Sequence, residues 1–428
     1  MTNRPPSTTQ IDPPATSDNA STLGAPLALP CGATIPNRFM KSAMSEALST
    51  TSHGPSEGLA RLYGVWAEGG VGLSVTGNVM IDRRAVSEPQ NVVIEDERDL
   101  DGLRAWAQAG TALGGQLWMQ INHPGKQSPI FVSKEPVAPS AVPLGAGLER
   151  AFATPRELSD DEILDLIERF GRAAGVAKKA GFTGVQIHAA HGYLVSQFLS
   201  PHHNRRTDRW GGTLEKRAAF AMAIYESMRA AVGPDFPVSI KINSADFQRG
   251  GFTEEESFEV ITNLVDAGVD LVEVSGGTYE APVMTGSRRR ESSIQREAYF
   301  LSFAEALRQR VEVPLAVTGG FRTAEGMAAA IRSGAVDLVG LARALALEPD
   351  LPRRILAGEP AVSQVRRLST GIKSLDKIAV LDVTYYENQI ARIAKGLAPR
   401  PKLSAWRSML TSMGKNGVQT FKLRRARR

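Results

Sequence analysis

Cysteine is almost absent from this chain. A single one, Cys31, stands among 428 residues. It cannot form an intrachain disulfide, and it cannot hold an iron–sulfur cluster or a thiolate zinc site. A reducing, cytoplasmic setting fits such cysteine usage. Long apolar runs are missing too: no window approaches the ~18 residues that a membrane-spanning helix requires. No Gly-x-Gly-x-x-Gly follows any early apolar run, which lowers a doubly wound dinucleotide-binding sheet as the architecture. Negative charge is missing from one end. No Asp or Glu follows Glu387, whereas eleven Lys and Arg do, so the +5 net charge belongs to the tail and the body carries 39 basic against 45 acidic residues. A solvated terminus is the preferred reading of that tail over a contact with nucleic acid or anionic lipid.

What the chain does have is alternation. From Ile35 onward, short aliphatic runs bounded by Gly or polar residues alternate with helical patterns. The runs are Phe39 to Ser42, Val71 to Thr76, Gln116 to Ile121, Gly184 to His188, Val238 to Ile242, Leu271 to Val274, Leu315 to Thr318 and Leu338 to Gly340. They read as buried parallel strands. Helices are expected over Glu57 to Gly69, Asp99 to Leu113, Asp160 to Ala180, Thr213 to Ala231, Phe252 to Ala267, Ala298 to Arg310 and Thr323 to Ser333. Ser159 or Asp160, Thr253 and Thr323 are placed to start three of them. Eight strand–helix units in succession predict an α/β fold, an eight-stranded parallel (βα)8 TIM barrel, with chemistry at the carboxyl ends of its strands. The expected division is a disordered leader over 1–25, a barrel over 26–360, and a helical extension over 361–428 ending in the basic tail. Tyr385, Tyr386 and Trp406 are the extension's candidate anchors. Two long loops, Asn122 to Ser159 and Ser275 to Glu297, have the length of lids or specificity elements.

The residues able to do chemistry fall where those strands end. His188-Ala-Ala-His191-Gly-Tyr193 follows the fourth strand. Two neutral imidazoles three residues apart can converge on one oxygen atom and stabilise charge developing there. A phenol two residues on can supply a proton. A metal site lacks its third ligand and the glutamate of the helical zinc motif. Lys241 lies between Ile240 and Ile242 in a buried strand. It requires either a carboxylate such as Glu273 or a cofactor that becomes anionic. Gln120 has donor and acceptor atoms together, as a pyrimidine edge does. Gly319-Gly320 after the seventh strand and Arg343 after the eighth occupy the usual phosphate pocket of such barrels.

These residues, taken in order, resemble the Old Yellow Enzyme group of FMN-dependent NADH:flavin oxidoreductases. The resemblance runs from about Pro36 to Pro352. It is carried by Asn37-Arg38, Met44, His123-Pro-Gly-Lys126, the His188 to Tyr193 motif with Phe198 to Pro201, Asn204, Arg206 to Asp208, Ser275 to Gly277 and Thr318 to Gly320. It implies FMN across the carboxyl face of the barrel. Ala43, Met44 and Ser45 would lie along the flavin, Gly77 and Gln120 near its pyrimidine side, and Lys241 at N1. Gly319, Gly320, Ala342 and Arg343 would surround the phosphate. It also implies NADH or NADPH as reductant and a small electrophilic substrate such as an enone, enal or nitroalkene. The substrate's oxygen would be held by His188 and His191, and Tyr193 would be the proton donor. Oxidation, demethylation or NADH oxidation on the same barrel is the alternative. Subunits are expected to associate into a homo-oligomer. Ser45 replaces the cysteine or threonine of other branches, and Lys126 the usual arginine.

Overall fold

Each aliphatic run becomes a strand of one closed barrel. The computed structural model describes residues 16–145, 147–281, 300–366, 368–372 and 380–411. The strands are β1 (Phe39–Lys41), β2 (Leu73–Val75), β3 (Gln116–Asn122), β4 (Gly184–Ala189), β5 (Val238–Asn243), β6 (Leu271–Ser275), β7 (Leu315–Thr318) and β8 (Leu338–Leu341). All neighbours are parallel and pair in chain order, and β8 closes on β1. The register sets His188 opposite Lys241 and Lys241 opposite Glu273, one row across three strands near the carboxyl ends. Gly340 on β8 is required by packing: a Cβ there would meet the Thr318 hydroxyl and the Ser42 hydroxyl at 2.1 and 2.7 Å.

The outer ring is α1 (Glu57–Glu68), α2 (Leu100–Thr111), α3 (Asp160–Ala180), α4 (Leu214–Val232), α5 (Glu254–Asp266), α6 (Leu301–Arg308) and α7 (Ala324–Arg332). Their ends have chemical causes. Ser159 and Glu162 form a reciprocal capping box on α3, as Thr253 and Glu256 do on α5. Such a cap contributes about 1 kcal/mol. Gly181, at φ +94°, ends α3 in the left-handed conformation that glycine adopts without penalty. Among the described residues, no helix is long and apolar enough to cross a membrane.

Two features depart from expectation at the amino end. The last ten residues of the expected disordered leader are ordered: Thr16–Gly24 is a helix, its Leu23 is fully buried, and the Asn19 amide bonds Glu325 of α7 at 2.8 Å. A short antiparallel hairpin then pairs Leu27–Ala28 with Thr34–Ile35. Leu27, Leu29 and Ile35 pack on Met40, Leu73, Trp118 and Leu338, so the hairpin plugs the amino-terminal mouth of the barrel.

After β8 come α8 (Leu351–Leu356) and α9 (Val380–Ala394). Tyr385 and Tyr386 of α9 are buried, as anchors should be. Trp406 is 44% exposed and is not a core anchor; its indole donates to the Thr370 carbonyl at 2.8 Å. The basic tail and the later part of the loop after β6 lie outside the described residues.

Candidate active site

The carboxyl face opens into a cavity of about 250 Å3. Ala43, Met44 and Ser45 line it from the loop after β1, and Lys241 from β5. Gly319 and Gly320 enter after β7, and Ala342 and Arg343 after β8. His191 and Ser275 are at its wall. So most of the residues expected at a flavin share one cavity. Gly77 and Gln120 do not reach its wall. Gly77 donates its N–H to Glu46 Oε1 at 3.2 Å, and the Gln120 amide donates to Gln186 Oε1 at 2.8 Å inside the barrel. Gln186 in turn donates to Glu273 at 3.0 Å, so the two amides and the carboxylate form one hydrogen-bonded chain inside the barrel.

Glu273 is the centre of that interior network. It is fully buried and accepts from Lys241 at 2.9 Å, from the Thr318 hydroxyl at 2.6 Å and from Gln186. Because the Thr318 proton goes to Glu273, the Ser42 hydroxyl donates to Thr318, at 2.6 Å. The two readings of Lys241 are therefore compatible: its ammonium pairs with Glu273 and also borders the cavity. A second buried lysine was not singled out in the sequence. Lys41 on β1 bonds Glu46 at 3.1 Å, the Tyr63 hydroxyl at 2.8 Å and the Val75 carbonyl at 2.8 Å, and lies over the Trp66 ring at 4.5 Å. Since Glu46 also holds the Gly77 N–H, this group ties the loops after β1 and β2 together.

The His188 to Tyr193 motif stands beside the cavity. The His188 ring lies 5.2 Å from that of His191 and 4.9 Å from that of Tyr193. His188 Nδ1 accepts the Ala190 N–H at 3.3 Å, so the neutral ring carries its proton on Nε2 and can donate. His191 sits in the left-handed region at φ +63°, and its N–H is held by Asn243 Oδ1 at 3.1 Å. Its Nε2 lies 2.7 Å from the Ser275 hydroxyl, which a substrate oxygen must share or displace. Burial, then the neighbouring His191 and Lys241, hold His188 well below the ordinary imidazole range; burial and Lys241 do the same to His191. Both rings are neutral at neutral pH. The Tyr193 phenol is pushed up to about 12 by burial and by Glu88, so it keeps its proton.

Two partners of the Tyr193 phenol escaped the sequence reading. The Tyr279 hydroxyl lies 2.9 Å from that of Tyr193, and Asn78 donates to Tyr193 at 3.4 Å. Glu280, the next residue, anchors the loop that carries Tyr279. Lys126 donates to His203 Nδ1 at 2.8 Å, His203 Nε2 lies 3.5 Å from Glu280, and Glu280 accepts the Gly145 N–H at 2.7 Å. Lys126 thus joins the two long loops. Ser45, for its part, sits between carboxylates, 2.6 Å from Glu88 and 2.7 Å from Glu387 of α9.

The same burial has a stability consequence. Desolvation holds His123 down at about 4 and His203 at about 2, while an unfolded imidazole titrates near 6.5. Below pH 6.5 the unfolded chain takes up protons that the folded chain refuses, so the stability present above that pH is lost as pH falls. At pH 5 these two histidines together cost roughly 4 kcal/mol relative to neutral pH. Denaturant midpoints at pH 7.5 and pH 5 measure this, and equal midpoints would contradict it.

FMN fits the cavity's chemistry. Gly319 and Gly320 are both left-handed, at φ +103° and +104°, a conformation that turns successive N–H groups to one side. Arg343 and Arg322 line the same end. The Tyr386 hydroxyl is buried there with no hydrogen-bond partner among the described residues. An anion with several acceptor oxygens answers that donor set.

Comparison with known proteins agrees. The sequence profile of the NADH:flavin oxidoreductase / NADH oxidase family matches residues 23–361. The NADH-dependent flavin oxidoreductase iliE of Neonectria sp. (strain DH2) is 40% identical over 356 residues, which cover 77% of this chain and 46% of that protein. This chain therefore spans about half the length of that relative. The protein of the same name from Hypocrea jecorina (strain QM6a) is 39% identical, with 77% and 88% covered. Among solved structures, morphinone reductase superposes with a TM-score of 0.67 at 26% identity, over 80% of this chain and 91% of that one. The barrel, its carboxyl-face cavity and these matches together place the chain in the NADH:flavin oxidoreductase / NADH oxidase family, whose cofactor is FMN.

Proposed function

We propose that the chain is an FMN-dependent reductase that takes hydride from NADH or NADPH and delivers it to an activated alkene. Bound FMN supplies the hydride relay at its N5. The protein's own part lies in the neutral trio beside the cavity. His188 and His191 hold the acceptor's carbonyl or nitro oxygen and stabilise the negative charge that builds there as hydride arrives at the β carbon. Tyr193 gives its proton to the α carbon. The observation that carries this reading is the grouping of two imidazoles held neutral and one phenol held protonated, the His188 ring 5.2 Å from that of His191 and 4.9 Å from that of Tyr193, with His191 at the wall of the cavity that Lys241 and the glycines after β7 also line. Support also comes from morphinone reductase, solved in complex with tetrahydroNAD.

The test has two halves. Anaerobic NADH or NADPH should bleach the yellow protein, and an added enone should restore its colour. A protein that re-oxidises with oxygen and ignores a panel of enones, enals and nitroalkenes would instead be an NADH oxidase. Tyr193→Phe should slow alkene-dependent re-oxidation on the order of a hundredfold. Flavin reduction by the nicotinamide should change little. Equal slowing of both halves would remove the phenol from the proton-donor role.

A further inference from the structure

The flavin cavity is not made by the barrel alone. Asp382, Val383, Tyr386 and Ile390 of α9 line it. Asp382, Tyr386 and Ile390 recur at four-residue spacing, so one face of this helix is the cavity's outer wall. The helix is fixed in place: Arg61 of α1 donates to the Ala394 carbonyl at 2.7 Å, and the Tyr385 hydroxyl donates to Pro401 at 2.7 Å.

Tyr386 is the unexplained residue of that wall. It is only 5% exposed, yet its hydroxyl has no hydrogen-bond partner among the described residues. A buried hydroxyl left in that state costs on the order of 1–3 kcal/mol, so such groups nearly always have a partner when the protein works. The charges facing this phenol identify the partner's chemistry. Arg343 and Arg322 act on it from the barrel side and Asp382 from its own helix, with the neighbouring Tyr385 beside it. Arg343 also lies 3.7 Å from Asp382. Two guanidinium groups and a phenolic O–H line one cavity, together with the left-handed glycines after β7, and groups of these kinds are the donors that a phosphate takes. The loops after the seventh and eighth strands are where barrels of this kind hold phosphate.

We infer that the C-terminal helix is part of the cofactor site, and that the Tyr386 phenol donates a hydrogen bond to the terminal phosphate of FMN. This rests on the flavin reading of the cavity. Nothing in the β7 and β8 loops requires the donor; it comes from a segment beyond residue 361, where the family match ends.

The experiment compares two ligands on apoprotein of the full chain. FMN carries the phosphate and riboflavin lacks it. Quenching of flavin fluorescence gives both dissociation constants. For Tyr386→Phe, which keeps the ring and its packing, the FMN constant should rise on the order of tenfold while the riboflavin constant stays within about twofold. Arg343→Met serves as the comparison variant and should also narrow the preference for FMN over riboflavin. If Tyr386→Phe leaves both constants unchanged, the phenol does not touch the cofactor. If both weaken equally, the hydroxyl supports the helix rather than the phosphate. Either result overturns the inference. Unaltered protein that binds neither flavin would instead end the reading of the cavity, a separate failure.

Discussion

Replacing His188 and His191 together by alanine is expected to abolish measurable alkene reduction while FMN stays bound. The donors of an oxygen-binding site contribute most where charge develops, and removing one typically costs a hundredfold to a thousandfold in rate. The second removal adds less than its own share, because two donors on one oxygen act as a unit. The cofactor should survive because its expected phosphate contacts lie in the loops after β7 and β8, away from β4. One side effect must be separated out. The His188 ring packs edge-on against Tyr193, so alanine there also loosens the phenol. His188→Asn keeps a donor of similar reach and should recover a substantial part of the lost rate. A ligand that mimics the developing oxyanion, such as a phenol, should bind the double variant at least tenfold more weakly, read from the perturbed flavin absorbance. Alkene turnover within a fewfold of the unaltered protein would remove both histidines from the chemistry, whatever happens to phenol binding.

The barrel was legible because its strands are buried on both faces, so each appears as an unbroken aliphatic run between breakers, and because the helix starts carry their own capping chemistry at Ser159, Thr253 and Thr323. The cavity residues were legible where they stand at strand ends in order. What was not legible depends on distant partners. Thr16–Gly24 has little apolar character, and its order comes from burying Leu23 and from bonds to Glu325 and Arg332, some three hundred residues away. Tyr279 lies in a loop marked by its length alone, and Tyr386 reads in the sequence as an anchor of the extension; nothing local to either residue says that its hydroxyl is turned to the site. Lys41 is a different case. A lysine inside a buried strand was the argument applied to Lys241, and the same argument at Lys41 would have pointed to Glu46.

The interior ion pair offers the largest stability effect. Glu273→Leu is expected to lower the unfolding free energy by roughly 3–5 kcal/mol. The cost is not the lost attraction itself. Lys241 and Glu273 are both nearly inaccessible, at 4% and 0% side-chain exposure, so removing the carboxylate leaves an ammonium in the barrel with no counter-charge. The Thr318 hydroxyl and the Gln186 amide lose their acceptor in the same step. Removing both charges should behave differently. Lys241→Met with Glu273→Leu leaves only neutral groups to satisfy, and exchanging a buried ion pair for apolar residues of similar size is often close to neutral. The double variant should therefore be more stable than Glu273→Leu alone, recovering at least half of the loss. Denaturant unfolding of the single and double variants completes the cycle. If the two single losses simply add in the double variant, the lysine and the glutamate are not energetically coupled, and the network beneath the cavity is held by its neutral hydrogen bonds instead.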